Sequence, residues 1–138
     1  MKKICIDFGH GASSGARSGN LIEDNLINIT GKECVSILKA SGFNVQTTRN
    51  ETSNMTLSQR ANISNKFKSD FFMSIHFNMG GGKGFESIRS LRENVVATGI
   101  AKKIISKLNS IKHSARPNPI YTRTGSSGKD SILSLEIQ

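Results

Sequence analysis

Tryptophan is absent, tyrosine occurs once, and aromatic residues make up only 6% of the 138 residues. The chain therefore has few rings to stack on nucleic-acid bases. Acidic residues are also scarce, with 10 Asp and Glu against 19 Lys and Arg and a net charge of +9. A field of that sign attracts polyanions. Nucleic acid, an anionic membrane and a bacterial wall all qualify, and charge alone does not choose between them. The basic residues are scattered without an arginine-rich block, which lowers the nucleic-acid reading. Cys5 and Cys34 are the two cysteines, and without a CxxC pair neither a zinc ribbon nor a thioredoxin-like redox centre is indicated. Both read as small buried hydrophobes.

Long apolar runs are missing as well, which excludes a transmembrane helix. After Lys3 the apolar stretch Ile4 to Ile6 is cut by Asp7, leaving no signal-peptide core. Synthesis in the cytoplasm without a signal peptide is expected, and any export uses another route. No internal repeat, low-complexity segment or linker is visible, so residues 1–138 read as one domain able to bury roughly two-thirds of the unfolded surface.

Lys3 to Phe8 reads as a short buried strand, and the Gly- and Ser-rich segment from Gly9 to Asn20 as a loop. Glu23 and Asp24 then lead a helical pattern through Ala40, closed by Gly42. Phe43, Val45 and Thr47 alternate as a second strand. Thr56 to Gln59 fits a capping box starting a helix to about Lys68. Phe71 to Phe77 reads as a central strand, Phe85 to Leu91 as another, and Val96 to Ile111 as a long amphipathic helix bearing Lys102, Lys103 and Lys107. Pro117, Pro119, Gly125 and Gly128 mark a poorly structured stretch before a last strand at Ile132 to Ile137. Alternating strands and helices predict an α/β fold, a mostly parallel twisted sheet flanked by helices. Ligands gather at the carboxyl ends of such strands, where His10 and His76 fall.

Two histidines at strand ends and Glu23 at the mouth of the intervening loop supply a His-Glu-His set of the kind that holds catalytic zinc with one position open. Taken singly, each has a bland alternative: a loop histidine, a satisfied core histidine, and a carboxylate favouring the positive end of a helix. His113, at the end of a lysine-rich helix, reads as surface.

The blocks Ile4-Cys5-Ile6-Asp7-Phe8-Gly9-His10-Gly11, Glu23, Leu57-Ser58-Gln59-Arg60-Ala61-Asn62 and Ser74-Ile75-His76-Phe77-Asn78 closely resemble the zinc-dependent type 3 N-acetylmuramoyl-L-alanine amidases in order and spacing. Gly84-Phe85-Glu86 and Leu133-Ser134-Leu135-Glu136-Ile137 extend the likeness over nearly the whole chain. The resemblance implies a phosphorylase/hydrolase-like fold, zinc held by His10, Glu23 and His76, and Glu136 as the catalytic acid-base group. The bond it implies joins N-acetylmuramic acid to L-alanine in peptidoglycan, with anionic wall polymers as an electrostatic partner. Arg60 and Asn62, on a helix away from the strand ends, read as structural. Glu86 is a candidate to orient a metal-bound imidazole, with a solvated carboxylate as its alternative, and Asn78 is a candidate to fix the loop after His76.

Family members usually continue past the catalytic glutamate into a helix, whereas Gln138 lies two residues beyond Glu136. The expectation is a catalytic domain without that helix and without a separate wall-binding module. It would reach the wall after release, during phage lysis or sporulation. Two rivals remain: a catalytically impaired peptidoglycan-binding module of the same fold, and a basic nucleic-acid-binding protein. The oligomeric state is not legible.

Overall fold

Lys3–Phe8 forms β1 because its apolar residues suit a strand covered on both sides, with Cys5 and Ile6 fully buried. The computed structural model describes residues 1–80, 82–91, 95–124 and 134–137, the last four as backbone only. The chain divides into two compact units, Met1–Phe77 and Asn78–Gln138.

In the first unit, β1 lies between β4 (Asn44–Thr47) and β5 (Phe71–Phe77), parallel to both, with Ile4 opposite Val45 and Phe71. A two-stranded antiparallel hairpin, β2 (Arg17–Ser18) and β3 (Leu21–Ile22), interrupts the loop expected after β1. Helix α1 (Glu23–Ala40) has no side-chain cap, and Glu23 and Asp24 occupy its first turn. Ser41 ends the helix and Gly42 follows at φ 84°, a left-handed turn that suits glycine. Helix α2 (Leu57–Phe67) opens on the expected capping box of Thr56 and Gln59.

The core of this unit joins Ile6, Phe8, Ile27 and Ile75, flanked by Cys34, Val35, Leu38 and Met73. Each such side chain, fully buried, contributes about 1.5–3 kcal/mol. Gly31 lets α1 approach β1 closely, since a Cβ there would lie 2.6 Å from the Phe8 ring.

The second unit contains β6 (Phe85–Arg89), α3 (Val95–Ser110), β7 (Ala115–Thr122) and β8 (Ser134–Ile137). Strand β6 pairs parallel with β7 and antiparallel with β8, and α3 packs on β6 and β7 with Ala97 and Ala101 buried. Three pairings of the α/β fold are thus parallel, as expected.

One expectation fails here. The stretch around Pro117 and Pro119 is not structureless but lies within the eight-residue β7. The register jumps from Phe85↔Ala115 to Ser87↔Ile120, so the prolines sit in a bulge, and Asn118 takes φ 52°. An outer strand with a bulge tolerates proline because those residues need not donate to the ladder. Gly125 and Gly128 lie outside the described residues.

Candidate metal centre

The carboxyl end of β1 carries the site. Gly9 donates its amide to the Ile75 carbonyl at 3.2 Å. A Cβ at Gly9 would lie 2.4 Å from His76 Cε1 and 2.7 Å from the Ile75 oxygen. Glycine is therefore what allows the His76 ring to lie against the strand end. His10 follows at φ 55°, a left-handed conformation that histidine adopts more readily than most residues.

Two buried arginines hold this turn. Arg49 donates from Nε to the Phe8 carbonyl and from Nη2 to the Gly9 carbonyl, both at 2.8 Å, and pairs with Asp24 Oδ1 at 2.5 Å. Asp24 in turn accepts the Ser13 amide at 2.8 Å. Arg60 donates from Nη1 to Asp7 Oδ1 at 2.7 Å and to the Phe8 carbonyl, and from Nη2 to the His10 carbonyl. Asp7 also accepts the hydroxyls of Thr48 and Ser74, each at 2.5 Å. Each of these four charges, Asp7, Asp24, Arg49 and Arg60, has a partner of opposite sign, the condition under which burial is tolerable.

Glu23 closes the site from the start of α1 and is 1% exposed. Its Oε1 accepts the Phe77 amide at 2.9 Å and lies 3.2 Å from His76 Nδ1. Its Oε2 accepts the Ala16 amide at 2.8 Å and lies 3.0 Å from His10 Nε2. Burial pushes the Glu23 carboxyl up, but hydrogen bonds from His76 and the Ala16 and Phe77 amides, with His10 nearby, outweigh it and hold the pKa below its ordinary value. The histidine rings meet edge to face, with centroids 4.9 Å apart and planes at 77°.

The structure thus brings His10, Glu23 and His76 together, with one ligand atom from each within 4.8 Å of the others. Two imidazole nitrogens facing one carboxylate can share protons with it or share a cation. For ligand bonds of 2.0–2.2 Å in tetrahedral array, ligand atoms lie about 3.3–3.6 Å apart. The 3.0 Å from Glu23 Oε2 to His10 Nε2 and the 3.2 Å from Glu23 Oε1 to His76 Nδ1 are hydrogen-bond contacts made by different carboxylate oxygens, and what fits zinc here is the nitrogen–oxygen donor set gathered within 4.8 Å. A groove of about 500 Å³ runs from these histidines past Asn54, Met55, Leu57 and Gln59.

Sequence reasoning missed Arg49 and Asp24 and misplaced Arg60. Helix α2 is not remote from the strand ends: Arg60 reaches the His10 carbonyl, and both line the groove. Asn62 is exposed on α2, and His113 is exposed as expected. Buried Glu86 accepts from Arg116 Nη1 and the Tyr121 hydroxyl, both at 3.1 Å. The Glu136 backbone lies in β8 opposite Glu86, and its side chain is outside the described residues.

The chain is similar to several known proteins. Over 89 residues the chain is 43% identical to the N-acetylmuramoyl-L-alanine amidase CwlM of Bacillus licheniformis, an alignment covering 62% of this chain and 35% of that one. Over 108 residues it is 33% identical to the endolysin of Bacillus phage SPP1, covering 75% and 40%. The chain therefore spans less than half the length of either relative. Among solved structures, Cwp6 from Clostridium difficile superposes at a TM-score of 0.81 and 31% identity over 98% of this chain and 24% of that one. The catalytic domain of CwlV from Bacillus (Paenibacillus) polymyxa, at 24% identity and a TM-score of 0.75 over 99% and 79%, shows the same fold. The family model described as N-acetylmuramoyl-L-alanine amidase matches residues 4–134, and the chain belongs to that type 3 amidase family.

Proposed function

We propose that this chain is the catalytic portion of a zinc-dependent peptidoglycan hydrolase that cleaves the amide between N-acetylmuramic acid and L-alanine, with His10, Glu23 and His76 as the metal ligands. The observation that carries the reading is Glu23, a buried carboxylate with each oxygen aimed by a backbone amide and facing one histidine nitrogen. Bound zinc would polarise the scissile carbonyl and lower the pKa of a water towards neutrality.

The chain's own residues supply position and proton transfer. Ala16 and Phe77 amides fix the Glu23 carboxylate, Arg60 fixes the His10 carbonyl, and the neutral groove along Asn54, Met55 and Leu57 offers room for substrate. The Glu136 carboxylate takes a proton from the attacking water and returns it to the leaving alanine nitrogen. That role comes from the resemblance of the last strand. Among the described residues no helix is long and apolar enough to cross a membrane. Action at the cell wall is part of this reading and is supported by relatives that include a phage endolysin and a sporulation-specific amidase.

Incubating metal-replete protein with purified cell walls should release new N-terminal alanine, and His76→Ala should lose most of its zinc. Unchanged zinc content in that variant removes the ligand assignment. A parent that binds zinc and walls but releases no alanine is a binding module instead.

A further inference from the structure

Charge is distributed unevenly along the chain. Residues 78–138 hold ten Lys and Arg against four Asp and Glu, which accounts for six of the nine net positive charges. Helix α3 carries no acidic residue at all. Lys102, Lys103 and Lys107, with Lys112 just past the helix end, are exposed and form no ion pair among the described residues. Exposed lysines of the first unit differ in part, since Lys2 pairs with Asp70 and Lys32 with Glu51.

Helix geometry turns Lys102, Lys103 and Lys107 away from the buried side of α3. Ala97 and Ala101 face β6 and β7, leaving the lysines on the outer side. Lys103 and Lys107 are one turn apart, where like charges repel by a few tenths of a kcal/mol. From Lys102 to Lys107 the helix rises about 7.5 Å, about one Debye length at physiological salt, and Lys112 follows in the turn past Ser110. Several unpaired cations so close together suit a polymer with repeating charges better than one small anion. Lysine is a compact point charge that suits flexible phosphodiesters, and α3 has neither arginine forks nor aromatic rings for reading bases.

We propose that the lysine face of α3 is the surface by which this chain docks on phosphodiester-linked anionic polymers of the bacterial wall. The proposal rests on the reading of the chain as a wall hydrolase. It concerns where the chain is held, not where it cuts.

The test compares two triple variants of equal charge change. K102Q/K103Q/K107Q alters the α3 face, and K39Q/K66Q/K68Q alters exposed lysines of the first unit. Each is cosedimented with purified walls over a salt series, before and after acid removal of the anionic polymers. Turnover of a small soluble muropeptide and thermal melting are measured beside. The α3 variant should lose on the order of tenfold in wall affinity at about 0.15 M salt, and its slope of log affinity against log salt should fall by about two to three, roughly one for each phosphate that is no longer neutralised. Its melting and muropeptide turnover should match the parent, the control triple should bind nearly as the parent does, and stripped walls should not distinguish any of them. Equal losses in both triples would show a net-charge effect and overturn the surface. So would parental binding to stripped walls, or a loss confined to DNA binding. A parent that cleaves no muropeptide defeats the hydrolase reading instead, and the binding comparison still decides the surface.

Discussion

Arg60 is one of the two arginines that hold the strand-end turn. It is 3% exposed and shares one guanidinium among Asp7, the Phe8 and His10 carbonyls and, through Nε, the Met55 carbonyl. Arg60→Met keeps an unbranched stem, shorter than arginine, and removes every donor. Breaking one partner of a buried ion pair costs about 3–5 kcal/mol. Asp7 would retain the Thr48 and Ser74 hydroxyls and the Phe8 carbonyl would retain Arg49 Nε, so the lower end of that range applies. At an unfolding entropy of about 2.1 cal/mol/K per residue, a domain of this length loses about 3–4 °C per kcal/mol, which predicts a fall in Tm of about 10 °C. The double variant Arg60→Met/Asp7→Asn removes the stranded charge and should be more stable than the sum of the single effects by about 1–3 kcal/mol. Thermal melting and urea unfolding of the four proteins measure both quantities. Additive behaviour, or an Arg60→Met Tm within about 3 °C of the parent, would refute the view that this pair is a coupled buried unit.

Gly9→Ala places a methyl against His76 and the Ile75 carbonyl. It should cost about 1–3 kcal/mol by overpacking and on the order of tenfold or more in zinc affinity by tilting a proposed ligand, read by chelator competition; parental affinity would mean the ring escapes freely. The depressed Glu23 pKa gives a signed pH effect in protein stripped of metal. Its stabilising contribution is present above the ordinary glutamate value of about 4.3 and is lost as pH falls through the depressed folded value. Unfolding free energies from pH 6 to pH 3 should fall less steeply in Glu23→Gln than in the parent, and matching slopes would contradict that assignment.

Much of the fold was legible because its signals are local. The continuous apolar residues of β1 and β5, the period of α1 and α3, and the Thr56–Gln59 box each lie within one element. Strand β7 was not, because proline is a breaker by every local rule, and only the bulge at the sheet's outer position makes it tolerable. His10, Glu23 and His76 each had a bland alternative when taken singly, and they stood out because they fall within ordered blocks that resemble one family. Arg49, Asp24 and Asp7 did not, because a single sequence does not separate a solvated surface charge from one folded over a strand end. Their burial is set by partners 25 to 53 residues away.

The placement of those charges says something about the site they surround. Burying three carboxylates and two guanidiniums beside one strand end is costly unless each is fully paired. In the first unit they are paired in a way that leaves the Glu23 oxygens aimed by backbone amides, a support that packed secondary structure keeps rigid. All three proposed ligands, with Arg49 and Arg60 behind them, belong to Met1–Phe77, whereas the proposed acid-base residue Glu136 belongs to Asn78–Gln138. On the proposed assignment, metal affinity and proton transfer draw on different parts of the sequence. Substitutions at the strand-end arginines should move zinc binding, and substitutions at Glu136 should leave it unchanged.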